Sequence, residues 1–218
     1  VCLSEMQTSG QGRMQRPWHS PFAQNIYLTL AYPFQGNIKD LSGLSLVVGL
    51  AVVTALNSFF DSKHELKLKW PNDIFVEDKK LAGILIETTT KSSYCYNVII
   101  GIGINVNMLS DNTGLITQPW TSLRKHTNTY YDRNPICAEL INNLLVYTQC
   151  FHQSGLRHYL QKWQQYDYLY NQSVTLNSCG NKITGIGRGI DERGQLLLQL
   201  CNNQIQAFSV GDATLQHD

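Results

Sequence analysis

The stretch Tyr94 to Asn105, YCYNVIIGIGIN, is the most strongly β segment of the chain, so any fold must give it a central place in a sheet. Gly101 and Gly103 stand two apart and therefore share one face of that strand. Glycine weakens a strand interior, and a pair on one face calls for a reason. Either a flat ligand approaches the backbone there, or a helix packs closely on the sheet. The pattern is not G-x-G-x-x-G and no helix follows it, which excludes a dinucleotide fingerprint.

Other segments supply partners for this strand. Asn25–Tyr32 reads as a strand, as do Leu66–Trp70 and the pair Ile74–Val76 and Leu81–Glu87 around a Glu77–Lys80 turn. Leu41–Phe60 carries apolar residues at helical spacing (44, 47, 48, 52, 55, 56, 59, 60), with Asp40 or Ser42 as a cap. Ile136–Phe151 and Leu156–Tyr166 read as further helices, and Met108–Pro119 as a mobile loop. Beyond Tyr170 the character changes to short strands, Val174–Leu176, Ile183–Gly187, Leu196–Leu200 and Gln206–Val210, separated by turn signals. A small β-barrel is expected there, with a boundary near Asn171.

Composition narrows the function. The 218 residues include 43% hydrophobic ones, enough for a sizeable core, which excludes disorder as the overall state. Lys+Arg (17) and Asp+Glu (16) nearly cancel, so a general nucleic-acid surface is not expected. Cysteines at 2, 95, 137, 150, 179 and 201 have no zinc spacing and read as reduced, mostly buried thiols of a cytoplasmic protein. No apolar run of about 18 residues and no signal peptide is visible. The sequence opens at Val1 in strand-like residues, and the expectation is that a piece precedes it.

Four segments can carry chemistry. In Gly10-Gln11-Gly12-Arg13-Met14-Gln15-Arg16-Pro17-Trp18 the glycines admit a ligand to the backbone, and Arg13 and Arg16 suit phosphate or carboxylate; the alternative is a solvated turn. In Lys69-Trp70-Pro71-Asn72-Asp73, Pro71 ends a strand and presents Asn72 and Asp73, the latter a candidate Mg²⁺ ligand. Lys80 opens a strand in which Gly83 leaves room for a ligand. The third is the Gly101/Gly103 strand, and the fourth is Trp120, which taken alone reads as core.

In this order, GQGRMQRPWHSP, KWPND, KLAGILIE and GIGIN resemble the biotin protein ligase family, and GIGRGIDERGQLLLQ is similar to its C-terminal domain. The resemblance implies an α+β fold: a mixed-sheet biotin/lipoate ligase-type catalytic domain over residues 1–170, N-terminally incomplete, then a small SH3-like barrel over 171–218. It implies ATP-dependent formation of biotinyl-5′-adenylate and transfer of biotin to a lysine of a biotin carboxyl carrier domain, with Mg²⁺ accompanying ATP.

The same resemblance implies roles. Lys80 bridges the biotin carboxylate and the α-phosphate, and Arg13 belongs to the phosphate loop with Arg16. Gly83, Gly101 and Gly103 form the floor for the biotin ring, and Gln7 and Gly10 lie beside it. Trp18 and Leu85 wall the valeryl chain. Asn105 touches the phosphate region, Trp120 stacks on adenine, and Arg188 lies near the nucleotide. Asp73 serves Mg²⁺ or deprotonates the incoming lysine. The Met108–Pro119 loop becomes a lid over a water-sensitive adenylate. Gln11 and Gln15 depart from the family loop by replacing an Arg and a Gly. A Ser-Thr-Asn strand that the family carries upstream is absent from these residues, as is any DNA-binding domain. A homodimer follows only from the resemblance, and no membrane contact is expected. The rivals are a lipoate or octanoate ligase, whose R-x-S-G-G-G-type motif is lacking, and a non-catalytic biotin-binding remnant.

Overall fold

The computed structural model describes residues 1–59, 65–92, 94–111 and 113–216. Six strands form the first sheet: β1 (Cys2–Ser4), β2 (Ile26–Gln35), β3 (Leu66–Lys69), β4 (Asp73–Val76), β5 (Lys79–Ser92) and β6 (Cys95–Ile104). Their order is β1-β2-β6-β5-β4-β3, so the glycine-bearing β6 is central between β2 and β5. Every adjacent pair is antiparallel, which corrects the mixed sheet expected from sequence. The reason is local: β3 through β6 follow one another through short turns, and short turns can join only antiparallel neighbours. Glu77 and Asp78, both in the left-handed region (φ 46° and 61°), make the two-residue turn between β4 and β5.

Alternation along β6 sorts the two faces. Tyr96, Val98, Ile100, Ile102 and Ile104 are buried, and Ile99, Gly101 and Gly103 lie on the other face. Helix α1 (Leu44–Leu56) covers the buried face. The segment Ile38–Leu56 is long and apolar enough by composition to cross a membrane, yet from Leu46 to Leu56 nearly every side chain of α1 is enclosed in the core. An all-round apolar helix of this kind is a core helix sandwiched between layers. Gly49 brings it close: a Cβ there would stand 2.9 Å from Leu68 Cδ2. Phe60, the last residue of the helix expected from sequence, lies outside the described residues. After the short α2 (Leu123–Thr127), helix α3 (Arg133–Ser154) packs on α1, its start capped by the Asp132 carboxylate, and α4 (Leu160–Tyr166) closes the layer.

The C-terminal strands are β7 (Ser173–Ser178), β8 (Asn181–Ile190), β9 (Leu196–Gln199), β10 (Ile205–Phe208) and β11 (Asp212–Leu215). They pair in the order β10-β9-β8-β7-β11, an antiparallel sheet that is not closed by hydrogen bonds between β10 and β11. Strand β11 was not expected from sequence. The cysteines also need correction: all are free, but only Cys137 is buried, while Cys2 on the edge strand and Cys179 and Cys201 in turns are exposed.

Candidate active site

Register dictates what meets on the open face of the first sheet. One row across the strands runs Lys69, Asp73, Gly83, Gly103, Tyr27 and Ser4; the next runs Leu85, Gly101, Thr29 and Cys2. Simple alternation would put Lys80 on the core side, since Gly83 faces the site. A register shift between Ile74 and Phe75 leaves Leu81 as the extra residue, so Phe75 pairs with Lys80 and Ile74 with Ala82. This bulge turns Lys80 and Gly83, three apart, onto the same face, and it gives the K-x-x-G spacing its physical meaning.

Lys80 Nζ stands 2.9 Å from Asp73 Oδ2, both side chains largely buried at 14% and 17% exposure. The Trp18 indole lies beneath it, its ring centroid 5.4 Å from the ammonium. That indole presses on the sheet: a Cβ on Gly103 would meet Trp18 Cε2 at 2.4 Å, and one on Gly83 would meet Cζ3 at 3.1 Å. The close approach expected at these two glycines is therefore made by the chain's own Trp18. At Gly101 the nearest atom to an added Cβ is the Leu85 carbonyl oxygen at 3.5 Å, so the open floor is the row of Leu85, Gly101 and Thr29.

The loop before β2 forms the second wall. Gly12 N–H donates to Arg16 O (2.8 Å) and Trp18 N–H to Gly10 O (2.8 Å), with Met14 and Gln15 at its tip in the left-handed region (φ 56° and 57°). Arg13 donates to Asn72 Oδ1 (3.3 Å) and to Gly211 O (3.4 Å), and Arg16 pairs with Asp212. Asn72 is itself fixed to β5, donating to Ile84 O at 2.7 Å. The C-terminal sheet thus closes one side of the cavity.

A third wall is the segment leading to Trp120. Lys80 N–H donates to Pro119 O (3.0 Å) and Thr121 N–H to Lys80 O (2.9 Å), which sets Trp120 beside Lys80. Trp120 is half-buried at the cavity, and Lys125 Nζ lies 4.0 Å from its ring centroid. Upstream, Asp111 accepts from the Thr113 hydroxyl (2.6 Å) and from the Ile116 and Thr113 N–H groups, which hold its carboxyl down at about 2; His19 Nε2 is 3.8 Å away. Asn112, within the loop expected to act as a lid, lies outside the described residues.

These walls enclose a cavity of about 570 Å³. It is lined by Gln7, Arg13, Arg16, Trp18, Asp73, Lys80, Gly83, Leu85, Gly101, Gly103, Asn105 and Trp120, all singled out from sequence. Two expected residues are not brought to it. Gly10 is set behind the wall, where a Cβ would meet Trp18 O at 2.8 Å and Gln7 Oε1 at 2.9 Å. Arg188 is engaged within its own sheet, where Gln199 and Asn171 accept from its guanidinium. Asn105 reaches the cavity, but its side chain donates to Thr121 O (3.0 Å) and accepts from Asn25 (3.4 Å), a framework role. Sequence reasoning missed Thr29, His19, Glu87 and Asp212. Thr29 is found once NIYLTLAY is registered against GIGIN; Asp212, 196 positions from Arg16, left no local signal.

For Asp73 the sequence leaves two roles open, a Mg²⁺ ligand or a base for the incoming lysine. Lys80 already occupies one of its oxygens, and the described residues contain no cluster of three His, Cys, Asp or Glu able to hold a metal. Its other oxygen, Oδ1, is buried without a partner. Magnesium takes few protein ligands and keeps to substrate phosphates, so such an ion fits here as part of the nucleotide.

Residues 1–105 match the sequence model of the biotin/lipoate A/B protein ligase family, and residues 170–215 match that of the biotin protein ligase C-terminal domain. The chain is 38% identical over 199 residues to the bifunctional ligase/repressor BirA of Escherichia coli, covering 91% of this chain and 61% of that protein. It is 28% identical over 222 residues to the biotin–[acetyl-CoA-carboxylase] ligase of Mycobacterium tuberculosis, covering 97% and 77%. Among solved structures, the biotin protein ligase from Aquifex aeolicus in complex with biotin and ATP superposes with a TM-score of 0.83 at 27% identity, covering 99% of this chain and 88% of that one. The chain spans about three fifths of the length of the BirA relatives it matches.

Proposed function

The chain belongs to the biotin protein ligase family, and from that premise we propose that it joins biotin to ATP as biotinyl-5′-adenylate and then acylates a carrier lysine. The observation that carries this reading is the placement of Lys80. A largely buried ammonium stands at the head of an open apolar floor, with Arg13 and Arg16 on the facing wall of the same cavity. Joining biotin to ATP forces two anions together, and preorganised cations between them offset that repulsion.

On this reading the biotin ring lies on Leu85, Gly101 and Thr29 with Gln7 nearby, and Trp18 walls the chain that leads to its carboxylate. A carboxylate oxygen bonds to the α-phosphorus, the bridging P–O bond breaks, and pyrophosphate leaves with the electron pair. Lys80 neutralises charge on the reacting oxygens. Asp73 holds Lys80 in place, and Trp120 offers a face to adenine. A lysine amine of a carrier domain then attacks the acyl carbon, AMP departs, and Asp73 takes the released proton. Magnesium bound with ATP would supply further positive charge against the phosphates, with the free oxygen of Asp73 as the residue that would face it. We place the catalytic unit at residues 1–170 and the C-terminal unit at 171–218, since α4 ends at Tyr166 and β7 starts at Ser173. Six free cysteines suit a cytoplasmic setting. Pairing of two copies through their sheets belongs to the same proposal, and sedimentation of the chain tests it.

The experiment measures pyrophosphate release from ATP with biotin, lipoate or octanoate. Release with biotin alone is expected, and Lys80→Ala should slow it by roughly 10²-fold, the scale for losing one preorganised charge. Release with lipoate or octanoate but not with biotin, or biotin binding with no turnover, would sink the proposal.

A further inference from the structure

Lys69 is a charged side chain that the preceding reading leaves unused. It opens the KWPND segment and stands in register with Asp73 on the site face of the sheet. Its ammonium lies 4.9 Å from the Phe75 ring centroid, and Phe75 is the register partner of Lys80. Burial pushes Lys69 below the ordinary lysine range; Asp73 and Asp212 draw it back up, while Lys80 and Arg16 lower it further. A desolvated ammonium ordinarily has a carboxylate partner. Both carboxylates that face Lys69 are committed elsewhere, Asp73 to Lys80 and Asp212 to Arg16. Among the described residues Lys69 has no carboxylate within ion-pair distance.

We propose that Lys69 is the cation for the pyrophosphate end of the nucleotide, so that its counter-charge arrives with the ligand. This rests on the function proposed above. Position decides which phosphate it meets. Gly83, beside Lys80, marks the reacting end, and Lys69 lies two strands further out along the same row, roughly 10 Å away at ordinary strand spacing. That direction leads away from the open floor at Gly101 and toward Arg16 and Asp212, the neighbours whose charges act on it. When the α–β bridging P–O bond breaks, the departing pyrophosphate gains charge, and the half-buried Lys69 ammonium, next to the cavity-lining Asp73 but outside the lining itself, stabilises it most.

Inorganic pyrophosphate is the direct probe. Calorimetry should show at least tenfold weaker pyrophosphate binding for Lys69→Met than for the parent chain, with Lys69→Arg recovering most of it. In turnover, Lys69→Met should lower kcat/KM for ATP at least tenfold. KM for biotin and transfer from supplied biotinyl-5′-adenylate should both stay within twofold. Unchanged pyrophosphate affinity and ATP dependence would overturn the proposal, and so would equal losses in every assay, which mark a structural lysine. Lys69-dependent pyrophosphate binding in a chain with no biotin-dependent turnover would keep this site and remove the functional reading instead.

Discussion

Three glycines on the site face look alike in sequence and behave differently in space. A methyl group on Gly103 would stand 2.4 Å from Trp18 Cε2, whereas at Gly101 the nearest contact is 3.5 Å. Gly103→Ala should therefore force Trp18 off the sheet and destabilise the chain by about 1–3 kcal/mol, as overpacking does. Gly101→Ala should fold with stability unchanged or raised by a few tenths of a kcal/mol, because the unfolded chain loses freedom. Its methyl would rise into the open floor, so biotin affinity should fall at least tenfold. Urea unfolding and biotin calorimetry on both variants check the pair. A stable Gly103→Ala, or a Gly101→Ala that binds biotin like the parent, would reverse the assignment of floor and wall.

At the scale of elements, the segment through Trp120 is a short strand-like clasp rather than part of the core. Its hydrogen bonds to both backbone groups of Lys80 couple the proposed adenine platform to the proposed reacting cation. Trp120→Ala should weaken ATP binding by on the order of 1–3 kcal/mol, the range for one base on an aromatic ring, and leave biotin binding nearly unchanged. Equal losses for both ligands in calorimetry would return Trp120 to a structural role. The elements themselves were largely legible, because YCYNVIIGIGIN is β-rich with glycines two apart and the nearly unbroken apolar run 44–56 is too long for one strand. Two kinds of feature were not. The bulge at Leu81 depends on how β4 and β5 pair, so a reading of β5 alone cannot say that Lys80 leaves the core side. Asp212 reaches Arg16 only because two sheets dock, and Arg188 is turned away because Gln199, on the neighbouring strand, accepts its hydrogen bonds. The motif residues around KWPND and KLAG were found because their contacts are local in sequence; Asp212 and Arg188 depend on distant pairings, whereas Gly10 is set behind the wall by its own loop, through Gln7 and Trp18.

The two sheets also meet through a joint that carries stored cost. One apolar cluster runs without a break from α1 and the first sheet into Leu169, Val174, Leu176, Leu196 and Leu198, so the chain should unfold as one body. Trp70 Nε1 donates to Gly194 O (2.9 Å) and Ser42 to Arg193 O (2.6 Å) across the same boundary. Asp167 lies inside this joint. It accepts from Leu169 N–H at 2.9 Å, and the adjacent Tyr168 N–H donates to Leu68 O, one residue before Lys69. Burial lifts its carboxyl to about 6, only partly offset by Leu169 N–H, the nearby Trp163 indole and the Lys67 charge. Neither Asp167 Oδ2 nor Trp163 Nε1 finds a partner in hydrogen-bonding geometry. The folded chain thus holds this proton more tightly than the unfolded chain, whose aspartates titrate near 3.9. As pH rises from about 4 to 6 the folded state binds more protons than the unfolded one, so stability falls through that window and stays lowered above it. A shift of about two units sets the cost at on the order of 2–3 kcal/mol at neutral pH. Asp167→Asn keeps an oxygen for Leu169 N–H and removes the charge. Urea denaturation at pH 4, 5, 6 and 7 should show the variant matching the parent at pH 4, gaining on it up to pH 6, and holding that gain at pH 7. A difference that is constant with pH, or that closes as pH rises, would mean that Asp167 is ionised at no cost and that the joint stores nothing.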